Sequence, residues 1–168
     1  MKKMNSFIIV LFSILCSTVF GQFTVTSNSN ASILAQQLAG SGVTITNPTI
    51  VCPTSAGVSF AGTFNNAPAG LGISDGIVLT TGLSTDLIDP TGINFFASTS
   101  ATAAGDSDLD ALLTSLGESY TTNDACVLEF DIEVTGDSLK FNYAMGSEEY
   151  PTYVCGSVND IFGFFISG

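Results

Sequence analysis

The stretch VLEFDIEV, Val127 to Val134, alternates without a break: Leu128, Phe130, Ile132 and Val134 fall on one side, and Glu129, Asp131 and Glu133 on the other. Successive side chains of a strand point to opposite faces, whereas helical apolar positions recur every three or four residues, so this pattern requires a half-buried strand. The same rhythm resumes after Thr135-Gly136-Asp137 in SLKFNYAM, Ser138 to Met145. The pair predicts a β-hairpin. VTITNPTIV (Val43 to Val51), VSFAGTF (Val58 to Phe64) and GIVLTTG (Gly76 to Gly82) are further strand segments, separated by Pro, Ser and Gly. Ile161 to Ile166 reads as a central strand buried on both faces. Helical spacing is confined to two places. NSNASILAQQLAG offers Asn30 or Ser32 as a cap, Ile33, Leu34 and Leu38 as an apolar face and Gly40 as a stop; Asp106 to Leu116 places Leu109, Leu112, Leu113 and Leu116 in register. The expected fold is mainly β, an antiparallel β-sandwich of jelly-roll or lectin-like type with two short helices. The last apolar run reaches Gly168 without a turn or charged tail, so we expect an incomplete sandwich, part of a longer polypeptide.

The start of the chain gives an address. Lys2 and Lys3 precede the apolar stretch Phe7 to Leu15, and Val19-Phe20-Gly21 suits a signal-peptidase site before Gln22. Ser13, Ser17 and Thr18 interrupt the segment well short of the ~20 apolar residues of a membrane span. Residues 1–21 therefore read as a signal peptide and 22–168 as one domain, secreted or held at the extracellular cell surface, with no membrane insertion after cleavage.

Charge excludes several classes of function. Cleavage leaves Lys140 as the only basic side chain against 15 acids, all beyond residue 74, and the chain has no Arg. Nucleic acid and anionic membrane surfaces are excluded as partners, because both are bound through Lys and Arg. With no His, neither a Ser-His-Asp nor a Cys-His nucleophile can be assembled. Oxygen-ligated hard cations and paired-carboxylate chemistry stay available.

Three cysteines follow the signal segment: Cys52, Cys126 and Cys155. An exported chain favours disulfides, but an odd number leaves one thiol buried and free or paired outside this sequence. The strand rhythm around Cys126 favours burial. The polar loop around Cys155 makes it the better disulfide candidate.

Two groups of residues are candidate sites. Asp106, Asp108 and Asp110 in GDSDLD alternate as in the opening of a calcium loop, though no glycine stands at the sixth place and no glutamate at the twelfth. Acids in the first helical turn are equally explained by the helix macrodipole. The second group is Glu148, Glu149, Tyr150, Tyr153, Asn159 and Asp160. Adjacent residues of a strand face opposite ways, so Glu148 and Glu149 do not form a facing pair. One of them with Asn159 and Asp160 gives either a second cation site or a sugar-contacting loop; the alternative is carboxylates that pin the loop by accepting backbone N–H bonds. A glycosidase would pair Glu148 with Asp160. Tyr143, Tyr150, Tyr153, Phe162, Phe164 and Phe165 form either a sugar-stacking platform or, for the phenylalanines above all, core; Tyr150 and Tyr153 lie outside the apolar run and are the ligand-contact candidates.

Gly72–Gly82 (GISDGIVLTTG), Gly105–Asp110 (GDSDLD), the block from Asp124 to Gly168 containing GSEEYP and NDIFGFF, and LAGSGVTITNPT (Leu38 to Thr49) together resemble the choice-of-anchor L domain family. The likeness spans roughly residues 30–168. Modules of this family lie near the N-terminus of large secreted or surface proteins, notably of gliding, Bacteroidetes-type bacteria. The resemblance implies export and an anchor or sorting domain further along, and supplies no catalytic mechanism. The expected function is a non-enzymatic surface module, adhesin-like or structural, whose partner is a surface polymer, a glycan or another surface protein. A calcium-dependent carbohydrate-binding module is the alternative, and a paired-carboxylate glycoside hydrolase a further one.

Overall fold

The computed structural model describes residues 22–88, 99–147, 149, 153, 154, 156 and 159–168. The signal segment 1–21 and the candidates Glu148, Tyr150 and Cys155 lie outside the described residues. In chain order the elements are β1 Thr24–Ser27, α1 Ala31–Leu38, β2 Val43–Val51, β3 Thr54–Ser55, β4 Val58–Ser59, β5 Ala61–Asn65, β6 Gly76–Leu79, α2 Ser107–Ser115 and β7 Val127–Val134. All strand pairing among them is antiparallel: one sheet has the order β1-β5-β6, a second pairs β2 with β7, and β3 with β4 forms a small hairpin. The expected mainly β, sandwich-like architecture with two short helices is what the chain adopts.

The core forms where α1 meets both larger sheets. Asn30 caps the helix by accepting from the Ile33 N–H at 3.1 Å, as its short amide side chain suits. The helix then turns Leu34 and Ala35 inward, both fully buried, toward Ile45 of β2 and the buried Phe60, Ala61 and Phe64 around β5. Ile33, expected on the apolar face, is instead half-exposed, because the buried stripe is centred on Leu34 and Ala35. At Gly62 of β5 an added Cβ would lie 2.6 Å from the Thr26 carbonyl oxygen, so only glycine lets β1 approach this closely. Serines close the same corner: Ser84 Oγ, fully buried, donates to the Ser59 carbonyl at 2.7 Å, and the Ser59 N–H donates to Ser27 Oγ at 2.8 Å.

β2 has a bulge that its sequence announces. Thr46 stands opposite Asp131 and Thr49 opposite Glu129, so Asn47 and Pro48 together face Phe130 alone. Pro48 has no N–H to give a ladder, and Asn47 takes φ 50°, a left-handed value that Asn tolerates. The extra residue shifts the parity of the strand. Val43 and Ile45 before the bulge and Pro48 and Ile50 after it are the less exposed positions, so one face stays apolar along the whole strand.

Three expectations need correction. β7 does not form a hairpin with Ser138–Met145, which carries no strand; it pairs with β2 instead. The turn itself provides the reason: the Thr135 N–H bonds to the Gly42 carbonyl at 3.0 Å, drawing the chain to the start of β2. Ile161–Ile166 is not a strand buried on both faces, since Phe162, Phe164, Phe165 and Ile166 are all exposed. Two of its rings stack on a neighbouring segment described below. Finally, Cys126 is not a free thiol. It forms a disulfide with Cys52, Cα atoms 4.1 Å apart, because the register that sets Val51 against Val127 brings the next residue out on each strand face to face.

Candidate functional site

The acidic motif at the start of α2 is tied into structure. Asp106 is the N-cap, its Oδ1 accepting from the Asp108 and Leu109 N–H groups at 3.0 Å each. Asp110 Oδ1 accepts from the Thr122 N–H at 2.6 Å and the Thr122 hydroxyl at 2.8 Å, clamping the helix to the segment that leads into β7. Asp108 is exposed. Among the described residues no group of three or more His, Cys, Asp or Glu side chains is placed to hold a metal ion.

Asp124, which sequence reasoning passed over, is the most deeply buried acid described, at 6% exposure. Its carboxylate accepts from the Ser100 hydroxyl at 2.7 Å and from the Ala101 and Ala103 N–H groups at 3.2 and 2.6 Å. It thereby fixes the 99–104 segment across the entry to β7. The only signal for it was an Asn-Asp pair just ahead of a strand.

Three of the six residues of the second group come together. Glu149, Asn159 and Asp160, with Met145 and Ser147, line a recess of about 540 Å³. Ser147 Oγ accepts from the Glu149 N–H at 3.3 Å, and Asp160 Oδ1 accepts from the Thr81 hydroxyl at 3.2 Å, which moors the recess to the loop after β6. Tyr153 is 55% exposed and does not line it. Among the described residues the lining holds two carboxylates and no basic side chain, so their hydrogen-bonding character is dominated by acceptors.

Beside the recess lies an array of rings. Phe141 stacks on Phe164 with centroids 4.6 Å apart, Tyr143 stacks on Phe162 at 5.4 Å, and Phe141 and Tyr143 are 6.4 Å apart in near-parallel planes. The segments around 141–143 and 162–164 therefore run side by side in opposite senses. Each of the four rings is well exposed, Tyr143 most of all at 65%. Phe141 was not a candidate in the sequence; the alternation of 138–145 was its only trace.

The block that builds this recess and ring array is one of the four stretches on which the family resemblance rests. A family model for the choice-of-anchor L domain matches residues 22–168.

The chain belongs to the choice-of-anchor L domain family.

No curated protein and no solved structure matches it significantly. Choice-of-anchor domains occur in exported surface proteins, and the family is not one of enzymes. In this choice-of-anchor L domain no helix among the described residues is long and apolar enough to cross a membrane.

Proposed function

We propose that this choice-of-anchor L domain is a non-enzymatic extracellular module of a large exported surface protein, adhesin-like or structural in role, which engages a surface polymer or another surface protein. The observation that carries the reading is the exposed ring array continuing into a carboxylate-lined recess. Contiguous exposed aromatic surface beside polar groups marks interaction sites on soluble domains. The absence of His from the chain removes the commonest general base and the usual activator of a nucleophile. Calcium enters the proposal at the start of α2, where Asp106 and Asp110 already hold backbone amides and Asp108 faces solvent. Carbohydrate binding is the second reading, favoured by the convergence of Glu149, Asn159 and Asp160 on one recess.

Protease shaving of intact cells tests the surface assignment. The expected result is release of peptides from residues 22–168 without lysis; complete protection until lysis would refute it. A hydrolytic role would appear as turnover of a glycoside by the purified chain, abolished by Asp160→Asn. The proposal expects none.

A further inference from the structure

The two edges of the β2–β7 sheet differ. The Thr135 N–H bonds to the Gly42 carbonyl, and the register then makes Glu133 with Thr44 and Asp131 with Thr46 the hydrogen-bonded pairs of the ladder. Val43 and Ile45 therefore turn their backbone groups to the outer side of β2, and that side is occupied. The Val43 N–H donates to the Gly40 carbonyl at 3.2 Å, and the Ile45 carbonyl accepts from Nε2 of Gln36 in α1 at 3.4 Å. Beyond them the bulge at Asn47 and Pro48 breaks the edge.

β7 has no bulge, so the same parity turns the N–H and C=O groups of Leu128, Phe130, Ile132 and Val134 away from β2. Among the described residues no other segment bonds to them. An unpaired edge of this kind is a template for a further strand, which Lys, Pro or a bulge ordinarily discourages. VLEFDIEV contains none of the three. It carries instead a row of exposed acids, Glu129, Asp131 and Glu133, on one face of the strand.

Charge selects what can pair there. The segment that follows in sequence, 138–145, carries no strand and stacks Phe141 and Tyr143 on Phe164 and Phe162. Elsewhere in residues 22–168 no segment offers cations to the three acids, because Lys140 is the only basic side chain there. A second copy of β7, paired so that apolar residues share a face, would set its acids beside these acids, which destabilises the pair. A strand in which Lys or Arg alternates with apolar residues reverses the sign. Its cations meet the acids on one face, and its apolar side chains extend the row from Leu128 to Val134 on the other. The excess of acids over the whole chain also draws such a polypeptide in.

We propose that the outer edge of β7 adds a strand from a basic polypeptide whose Lys or Arg residues alternate with apolar ones. The main chain of that strand pairs with Leu128, Phe130, Ile132 and Val134, and its cations lie beside Glu129, Asp131 and Glu133. The inference gives the surface-module reading a partner class and rests on it.

Fluorescence anisotropy with the purified chain and a labelled peptide of alternating Lys and Val tests it. The controls are the same peptide N-methylated along its backbone, a peptide with its lysines and valines in separate blocks, and one with Glu in place of Lys. The alternating peptide should bind saturably and more weakly as salt is raised, and the Glu peptide should not bind. N-methylation should weaken binding about tenfold or more, because it removes main-chain bonds and keeps the charge. The double variant Glu129→Gln/Glu133→Gln leaves the main chain intact and should weaken binding several-fold. Bound peptide should slow amide hydrogen exchange at Leu128, Phe130, Ile132 and Val134, while Glu129, Asp131 and Glu133, already bonded to β2, stay unchanged. Absence of binding would overturn the proposal, and equal binding of the N-methylated or block peptide would reduce the interaction to charge alone and overturn it too. So would protection of the four outward amides without peptide: at every protein concentration it would mean that a segment of this chain covers the edge, and only at high concentration that a second copy does. Any of these failures together with successful shaving of intact cells leaves the surface-module reading standing; protection of the chain from shaving removes that reading separately.

Discussion

Asn47 donates from Nδ2 to Oδ2 of Asp131 at 2.7 Å, a bond that crosses from the bulge of β2 to the acidic face of β7. Both partners are exposed, so the bond itself contributes modestly. What depends on Asn47 is the left-handed backbone that inserts one extra residue and keeps Ile45 and Ile50 on the same face of the sheet.

Replacing Asn47 by Val should therefore cost more than the lost hydrogen bond. A β-branched residue is penalised by roughly 1–2 kcal/mol in this backbone region, beyond the side-chain contact. Asn47→Gly relieves the strain and should lose only a few tenths of a kcal/mol. Urea unfolding of the two variants measures the difference. Equal destabilisation would mean that the hydrogen bond, not the bulge conformation, is what the sheet needs.

The Cys52–Cys126 bridge spans 74 residues of sequence and closes the same sheet at its other end. On the chain-entropy estimate a loop of this length restricts the unfolded state by about 4 kcal/mol. The double variant Cys52→Ser/Cys126→Ser should lose 2–5 kcal/mol, and a reductant should lower the wild-type midpoint while leaving the double variant unmoved. A midpoint insensitive to reductant in the wild type would contradict the pairing.

The three aspartates of GDSDLD have unequal roles in the structure, and stability measurements should separate them. Asp106→Ala removes the N-cap and should cost about 1 kcal/mol. Asp108→Ala, at an exposed position, should stay within about 0.5 kcal/mol. Melting the wild type with calcium and with chelator is the companion measurement, since an ion bound only to the folded form raises the midpoint according to its concentration relative to Kd. Capping alone predicts coincident curves, and separated curves would add a cation to the role of the motif.

How far the fold could be read beforehand depended on whether the deciding contact was local. α1 and α2 were legible because their caps and spacing lie within a few residues: Asn30 to Ile33, Asp106 to Leu109. β7 was legible as a strand from its alternation, but its partner was not. A short turn after Val134 argued for the neighbouring SLKFNYAM, whereas the Thr135–Gly42 bond and the cross-strand disulfide, 93 and 74 residues apart in sequence, select β2. Once that pairing is known, the cysteines follow from register. Of the second candidate group, Glu149, Asn159 and Asp160 line one recess, and their polarity is what the sequence offered for grouping them. The rings beside them were weighed as core or platform, and composition cannot decide between these, because the exposure of a phenylalanine depends on whether another segment lies over it.

Asp124 supplies the last prediction. It is buried, takes φ 53° and accepts three hydrogen bonds from the 100–103 segment, two of them from backbone amides. A carboxylate offers acceptors on both oxygens, whereas an amide offers one acceptor and one donor. Asp124→Asn keeps the shape and the tolerance for this backbone, yet turns one side of the group from acceptor to donor, leaving either the Ala103 N–H or the Ser100 and Ala101 pair without its partner. Leaving a buried donor unsatisfied costs about 1–3 kcal/mol, and Asp124→Ala, which strips all three bonds and the left-handed tolerance, should exceed it. The loss is expected to be local first: amide hydrogen exchange at Ala101 and Ala103 should accelerate in Asp124→Asn more than exchange at Ile45 or Leu34 in the core. Uniform acceleration across the domain would show that the 99–104 segment is inseparable from the β2–β7 sheet, and unchanged exchange at Ala101 and Ala103 would refute the anchoring role of Asp124.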